Sequence, residues 1–132
     1  MNAIVMKKRL TISFIPIFLL LLTNCSSNKE VSIDYPFLQK KDENITILFS
    51  DELFINEEGK YYDALLDINR RYPDKLRSFN IIDSSERVLV THYEITEFPT
   101  LIILHNDDIK IRVAGALKKH EILQALEKEL LN

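Results

Sequence analysis

Residues 93–104 read YEITEFPTLIIL, and this stretch contains the clearest structural pattern in the chain. Its second half, Thr100 to Leu104, is apolar and rich in branched side chains, which predicts a strand. Asn106, Asp107 and Asp108 follow, and these residue types favour turns. Residues 109–113 then alternate apolar and basic side chains, so the two segments together predict a β-hairpin with one buried face.

The hydrophobic pattern predicts further strands and helices on both sides of this hairpin. Residues 45–49 (ITILF) and 79–82 (FNII) predict two more strands. Apolar side chains recur at helical spacing in three segments, which contain Tyr61, Leu65, Leu66, Ile68 and Tyr72, then Val88, Leu89 and Tyr93, and finally Ile122, Leu123, Leu126 and Leu130. Pro73 ends the first helix, because the residue before a proline avoids helical dihedral angles.

The order strand, helix, strand, helix, hairpin, helix predicts an α/β fold. Two strand–helix–strand connections imply a parallel portion of the sheet, and the C-terminal hairpin adds antiparallel strands. We therefore expect a mixed central sheet flanked by helices. The chain has 132 residues, 46% of them hydrophobic, and few Gly or Pro, which excludes disordered and low-complexity classes. Its single Cys excludes a disulfide framework, and a net charge of −3 gives no basic excess that would point to nucleic acid.

The first residues have the pattern of a secretory signal. A basic cluster, Lys7-Lys8-Arg9, precedes an apolar run from Leu10 to Leu22. As a helix this run would be about 20 Å long, short of the ~30 Å hydrocarbon core. A cleaved signal peptide is therefore favoured over a membrane-spanning helix.

The end of this run resembles a bacterial lipobox. Leu22-Thr23-Asn24-Cys25 would make Cys25 the lipidated first residue of the mature protein, although Asn24 departs from the small residues usual before that Cys. A diacylglyceryl group on Cys25 supplies two acyl chains (palmitate, for example), enough for stable anchoring to a membrane. The alternative is that Cys25 is a thiol without a role in a peptide that is cleaved off. The expectation is a lipoprotein anchored to the extracytoplasmic face of the cell membrane.

This interpretation divides the chain into three parts. Residues 1–24 are a lipoprotein signal peptide, residues 25–40 are the lipidated Cys with a polar tether and a short strand, and residues 41–132 are the folded domain. The short strand is predicted from the alternation of Val31, Ile33 and Tyr35. Removal of the signal takes away three of the 17 basic residues and leaves a mature charge of 14 − 20 = −6.

The stretch at residues 93–104 resembles the thioredoxin segment in which Tyr-Gly-Ile precedes a hydrophobic residue, Pro, Thr and an apolar strand. Gly115-Ala116-Leu117 and residues 80–83 also resemble that family, and the similarity runs from Ile45 to Leu131. The resemblance implies a thioredoxin-like three-layer sandwich. It also implies a cis peptide bond before Pro99, the alternative being a trans proline that begins an edge strand.

The chain departs from the family where thioredoxins carry Cys-x-x-Cys. Counted without gaps, that motif falls on Phe54-Ile55-Asn56-Glu57, and the family's buried acid falls on Leu48. Thiol–disulfide exchange needs a thiolate, which neither Phe nor Glu can provide. We therefore expect no redox activity, no catalytic residue and no cofactor. The glycine at 59 leaves open whether the loop runs on to that residue.

The resemblance brings Phe54 and Ile55 next to Phe98 and Pro99, and these four residues are the predicted binding site. Apolar side chains on a rim are typical of a surface that binds a protein or peptide. The alternative is that Phe54 folds inward and replaces lost core. Two other functions stay open: a structural lipoprotein associated with the cell wall, and, less favoured, a thiol-related enzyme.

No other pattern predicts chemistry. His92, His105 and His120 are far apart and lack metal-ligand spacing, so no metal site is expected. Glu57 and Glu58 lie near a helix start, where negative charge favours the helix dipole without any further role.

Overall fold

The computed structural model describes residues 31–32 and 34–132. The predicted signal peptide, the lipidation of Cys25 and residues 26–30 of the tether lie outside these described residues. Within the described ranges, no helix is both long enough and apolar enough to cross a bilayer.

From Pro36 onward the described chain forms four strands, three α-helices and two short 3-10 helices. The 3-10 helices span Pro36–Gln39 and Glu52–Phe54. The longer elements follow in the order β1 (Asn44–Ser50), α1 (Ile55–Arg71), β2 (Ser78–Asp83), α2 (Arg87–His92), β3 (Thr100–His105), β4 (Asp108–Ala114) and α3 (Lys119–Leu130).

The strands form one mixed sheet in the order β2-β1-β3-β4, which confirms the predicted fold class. β1 and β2 are parallel, whereas β3 runs antiparallel to both β1 and β4. Only the first of the two predicted crossovers therefore joins parallel strands. α2 has only six residues, and the chain after it reaches β3 at Thr100, opposite Phe49 near the end of β1.

Each face of the sheet is covered by helical layers. On one face, α1 and α3 pack against the strands, with a core that includes Leu48, Tyr61, Ile68, Leu101, Ile103, Ile122 and Leu126. On the other face, α2 and the segment before β1 enclose a core that includes Val31, Leu38, Ile47, Phe49, Leu89, Val90 and Ile102. The central strands β1 and β3 are buried from both sides, because both faces carry apolar layers.

The short strand predicted from Val31, Ile33 and Tyr35 is wrong. Val31, Ser32 and Asp34 are helical, and a 3-10 helix follows with Pro36 at its first position. Three alternating residues are too weak a signal to outweigh packing, because Val31 and Leu38 fill the core instead of joining the sheet.

The prediction that Leu66 widens the buried stripe of α1 is also wrong. Tyr61, Ala64, Leu65 and Ile68 are buried, whereas the side chain of Leu66 is exposed. The helix lies over the centre of the sheet, so its flank on the side of β2 faces solvent.

The ion pair between α1 and α3 gives a pH-dependent prediction. The ammonium of Lys119 lies 2.7 Å from Asp67, and this contact holds the pKa of the Asp67 carboxyl below its ordinary value of 3.8. Because the folded pKa is the lower one, the pair stabilises the fold above pH 3.8, and this contribution is lost as the pH falls through the folded pKa. Asp67→Asn should therefore lower the melting temperature at neutral pH but not in strong acid. Asp63→Asn, on the exposed side of the same helix, is the control, and an equal loss at both pH values would contradict the assignment.

Candidate functional site

The predicted site residues lie at one end of the sheet. Phe49 of β1 pairs with Thr100 of β3, and Thr100 pairs with Ala114 of β4. The segment that follows β1 and the segment that precedes β3 therefore leave the sheet at the same end. The structure thus places Phe54 and Ile55 at the same end of the sheet as Phe98 and Pro99.

The segment before β3 is fixed by hydrogen bonds to neighbouring elements. The Phe98–Pro99 peptide bond is cis, and the Pro99 carbonyl accepts the Gly115 amide at 2.9 Å. The Gly115 carbonyl in turn accepts the Tyr61 hydroxyl of α1 at 2.7 Å, and burial raises the pKa of that phenol, which keeps it a neutral donor. Thr100 also donates to the Glu97 carbonyl at 2.6 Å. These bonds tie the Pro99 segment to α1 and to the end of β4.

The segment after β1 presents three consecutive apolar side chains to solvent. Asp51 begins it by accepting the Leu53 amide at 2.9 Å and, through its carbonyl, the Phe54 amide at 2.8 Å. α1 then begins at Ile55, so the predicted alternative of a loop that continues to Gly59 is wrong. Leu53 is 86% exposed, Phe54 43% and Ile55 60%. Phe54 therefore does not fold into the core.

The residues before β3 are less exposed than those after β1. Pro99 is buried, and Phe98 is half-buried and packs against the core on the α2 face. Pro99 thus positions the segment and offers little surface of its own. Leu53 is the most exposed of these side chains, although it is not among the predicted site residues. The feature of the sequence that could have indicated it is the presence of an apolar residue within the polar stretch 51–59. Leu53, Phe54, Ile55 and Phe98 are called the apolar rim below.

A buried carboxylate lies directly beneath this rim, where the sequence predicted only a favourable interaction with the helix dipole. Glu58, in the first turns of α1, is almost fully buried. One of its oxygens accepts the Ser50 hydroxyl at 2.6 Å and the Asp51 amide at 3.3 Å, and the other accepts the Tyr62 hydroxyl at 3.3 Å. The burial of Tyr62 and the negative charge of Glu58 both raise the pKa of the Tyr62 phenol, so this hydroxyl stays a hydrogen-bond donor.

Glu58 joins the end of β1 to the start of α1. All three of its partners are hydrogen-bond donors, and no ion pair to it occurs among the described residues. The position that the thioredoxin resemblance assigns to a buried acid, Leu48, is a fully buried core residue. The buried carboxylate among the described residues is that of Glu58 on α1, and it holds Ser50 and Asp51 of the rim segment in place.

The His, Cys, Asp and Glu side chains of the described residues are spread over the fold. No group of three or more His, Cys, Asp or Glu side chains within them could hold a metal ion. The three histidines lie apart: His92 contacts the Tyr93 ring, His105 lies 3.1 Å from the Asn44 side chain, and His120 is on the exposed face of α3. What the site offers is an exposed apolar surface on a segment held by hydrogen bonds.

Comparisons with solved structures identify the fold. The chain is similar to thioredoxin f2 of Chlamydomonas reinhardtii (TM-score 0.57, 19% identity, covering 71% of this chain and 86% of that one). It is also similar to thioredoxin-2, a component of malaria parasite protein secretion machinery (TM-score 0.54, 14% identity, covering 67% and 85%). These likenesses confirm the thioredoxin-like fold.

Comparison of sequences identifies the family. No protein-family profile matches the chain. A curated protein of Bacillus subtilis, the Pal-related lipoprotein, is 30% identical over 107 residues, which cover 78% of this chain and 84% of that protein. The chain therefore belongs to the family of the Pal-related lipoprotein and contains a domain with a thioredoxin-like fold.

Proposed function

We propose that this protein is a lipid-anchored, extracytoplasmic lipoprotein that binds a polypeptide partner through the apolar rim and carries out no thiol–disulfide exchange. The observation that carries the proposal is the exposure of Leu53, Phe54 and Ile55 in succession. Phe54 and Ile55 are also the residues onto which the thioredoxin resemblance places the start of the Cys-x-x-Cys motif. An exposed apolar patch on a soluble domain is typical of a surface that another molecule covers.

Hydrogen bonds hold the backbone of the rim segment in one shape, and this favours a role of the rim in binding a partner. Asp51 caps the 3-10 helix that carries Leu53 and Phe54, and Glu58 ties the same segment to β1. A rigid surface loses little conformational entropy on binding, so most of the free energy from burying its side chains is available for affinity.

Acidic side chains flank the rim and define the chemistry of the partner. Asp51 and Glu52 precede Leu53, and the exposed Glu97 precedes Phe98. Complementary charge then requires basic residues beside the partner's apolar side chains. We expect binding to weaken as salt is added, because Glu52 and Glu97 are exposed and their charges are screened.

Lipid anchoring and the lack of redox chemistry are supported together by Cys25. It is the only Cys in the chain, and lipidation would consume its thiol. Two observations support anchoring: the related protein of Bacillus subtilis is named a lipoprotein, and residues 22–25 of this chain resemble a lipobox. A mature protein without a free thiol has no nucleophile for disulfide exchange.

The rim is tested with the mature, membrane-extracted lipoprotein as bait. A double variant, Leu53→Ser with Phe54→Ser, should reduce capture of its envelope partner at least tenfold, because two anchors near the centre of the patch are removed. The matched control is Ile109→Ser, an exposed apolar side chain of β4 at the opposite end of the sheet. Capture of the partner by the double variant at the wild-type level would contradict the proposal. Binding to purified peptidoglycan without capture of any protein would also contradict it.

A further inference from the structure

β2 forms one edge of the sheet, and its outer side is unpaired within the described residues. Ser50 pairs with Asp83 while its carbonyl accepts the Ser84 amide at 2.8 Å. In a parallel ladder this pattern directs the main-chain groups of the even-numbered residues toward β1. The main-chain groups of Phe79 and Ile81 therefore point outward from the sheet, whereas the carbonyl of Asp83 accepts the Glu86 amide at 2.9 Å within the same copy.

This edge has none of the usual protection against pairing. The six residues of β2 include no Lys and no Pro, their register with β1 is continuous, and only the last of them is charged. Phe79 is 45% exposed and Ile81 52%, and both lie on the α1 face, opposite Thr46 and Leu48 of β1. Unprotected edges with apolar side chains are templates for strand addition.

The apolar surface continues from the edge onto α1. An open groove of about 260 Å³ lies between α1 and β2, with Leu65, Leu66, Leu76 and Phe79 among its lining residues. The Thr46 hydroxyl in this groove is fully buried and has no hydrogen-bond partner in the described part of the chain. The exposed Leu66 therefore joins Phe79 and Ile81 in one uncovered surface.

We infer that a second copy of the chain covers this edge, antiparallel and about a two-fold axis at Asn80, so that two sheets become one of eight strands. In this register Phe79 faces Ile81 of the second copy, and the two exchange main-chain hydrogen bonds through their outward-pointing groups. Arg77 faces Asp83 of the second copy, which pairs opposite charges across the axis twice. Both side chains are exposed. Within one copy Arg77 pairs with the exposed Asp74 at 3.3 Å, and one oxygen of the Asp83 carboxylate accepts the Ser85 amide at 2.9 Å.

Neighbouring registers are less complementary. A shift by two residues in one direction places Phe79 against Asp83. A shift in the other direction pairs Lys75 with Asp83 and Phe79 with itself, but places Arg77 against Ile81. Either shift puts a charge against an apolar side chain. The edge is therefore self-complementary in one register, which favours a second copy over an unrelated strand.

The test uses cysteine cross-linking of the mature lipoprotein, in which Cys25 carries lipid. Asn80 lies on the axis at a pair without mutual hydrogen bonds, where Cα atoms approach to about 4.5 Å, within the range of a disulfide. Mild oxidation of Asn80→Cys should give at least ten times more covalent dimer than Glu129→Cys, an exposed position on α3. Light scattering of the wild-type protein in detergent should give two chains per particle, and Ile81→Lys should give one.

Three results would overturn the inference. They are a wild-type protein with one chain per particle, equal cross-linking at positions 80 and 129, and an Asn80→Cys adduct with a different protein. The last would mean that the edge accepts another partner's strand. The rim lies at the end of β1 and not on this edge, so rim variants should leave the dimer intact.

Discussion

Replacement of Glu58 with alanine should lower the free energy of unfolding by about 2–3 kcal/mol. The change leaves the Ser50 hydroxyl, the Asp51 amide and the Tyr62 hydroxyl without their common acceptor. Each partly buried donor that loses its partner costs about 1 kcal/mol or more, and hydrogen bonds to a charged group are the stronger ones. Urea unfolding followed by circular dichroism measures the loss.

Glu58→Gln is the matched control, because its amide oxygen still accepts from Ser50 and Asp51. We expect it to cost about 1 kcal/mol or less, since shape and acceptor are kept while the charge is lost. Equal losses for the two variants would mean that the charge and not the acceptor is important. No loss in either variant would contradict the role of Glu58 in joining β1 to α1.

The two glycines should respond to alanine with opposite signs. Gly115 has a φ of +86°, and a Cβ there would clash with a carboxylate oxygen of Glu97. Gly115→Ala should therefore destabilise the fold by about 1–2 kcal/mol, chiefly because alanine is strained at this φ. The Gly115 amide and carbonyl also hold Pro99 and Tyr61, so the strain would reach the segment that positions the rim.

Gly59 is the internal comparison, since it lies within α1 and a Cβ there would meet nothing within 4 Å. Gly59→Ala should stabilise the protein by up to about 1 kcal/mol, the difference in helix propensity. Thermal melts of both variants beside wild type measure the two signs. Destabilisation by Gly59→Ala would contradict the helical start at Ile55, and a neutral Gly115→Ala would contradict the strain at that turn.

The fold could be predicted from the sequence because its central strands are unambiguous. Residues 45–49 and 100–104 are apolar apart from Thr46 and Thr100, as burial on both faces of the sheet favours. The predicted strand at Val31 to Tyr35 was wrong because Val31 packs into a core built mainly by residues far away in the sequence, and the local pattern contains no information on that packing. Leu66 was assigned to the core for a similar reason, since helical spacing gives the apolar face but not how far the sheet extends beneath it.

The candidate site could be predicted only in part. The resemblance around Pro99, with counting along the chain, placed Phe54 and Ile55 at the same end of the sheet as Phe98 and Pro99, and the structure has them at one end. Glu58 was missed because its burial depends on the Ser50 and Tyr62 hydroxyls, one before the helix and one a turn later. A polar residue near a helix start is ordinarily exposed, so only the packed structure shows that this carboxylate is enclosed.

Photo-cross-linking from position 54 tests the apolar rim most directly. A photo-reactive phenylalanine analogue replaces Phe54 in the anchored protein in intact cells, and the same analogue replaces Ile109 in the control. The rim account predicts a discrete adduct with an envelope protein from position 54, none from position 109, and a several-fold weaker adduct when Leu53→Ser is added. No adduct from position 54, or the same adducts from both positions, would contradict a binding role for the rim.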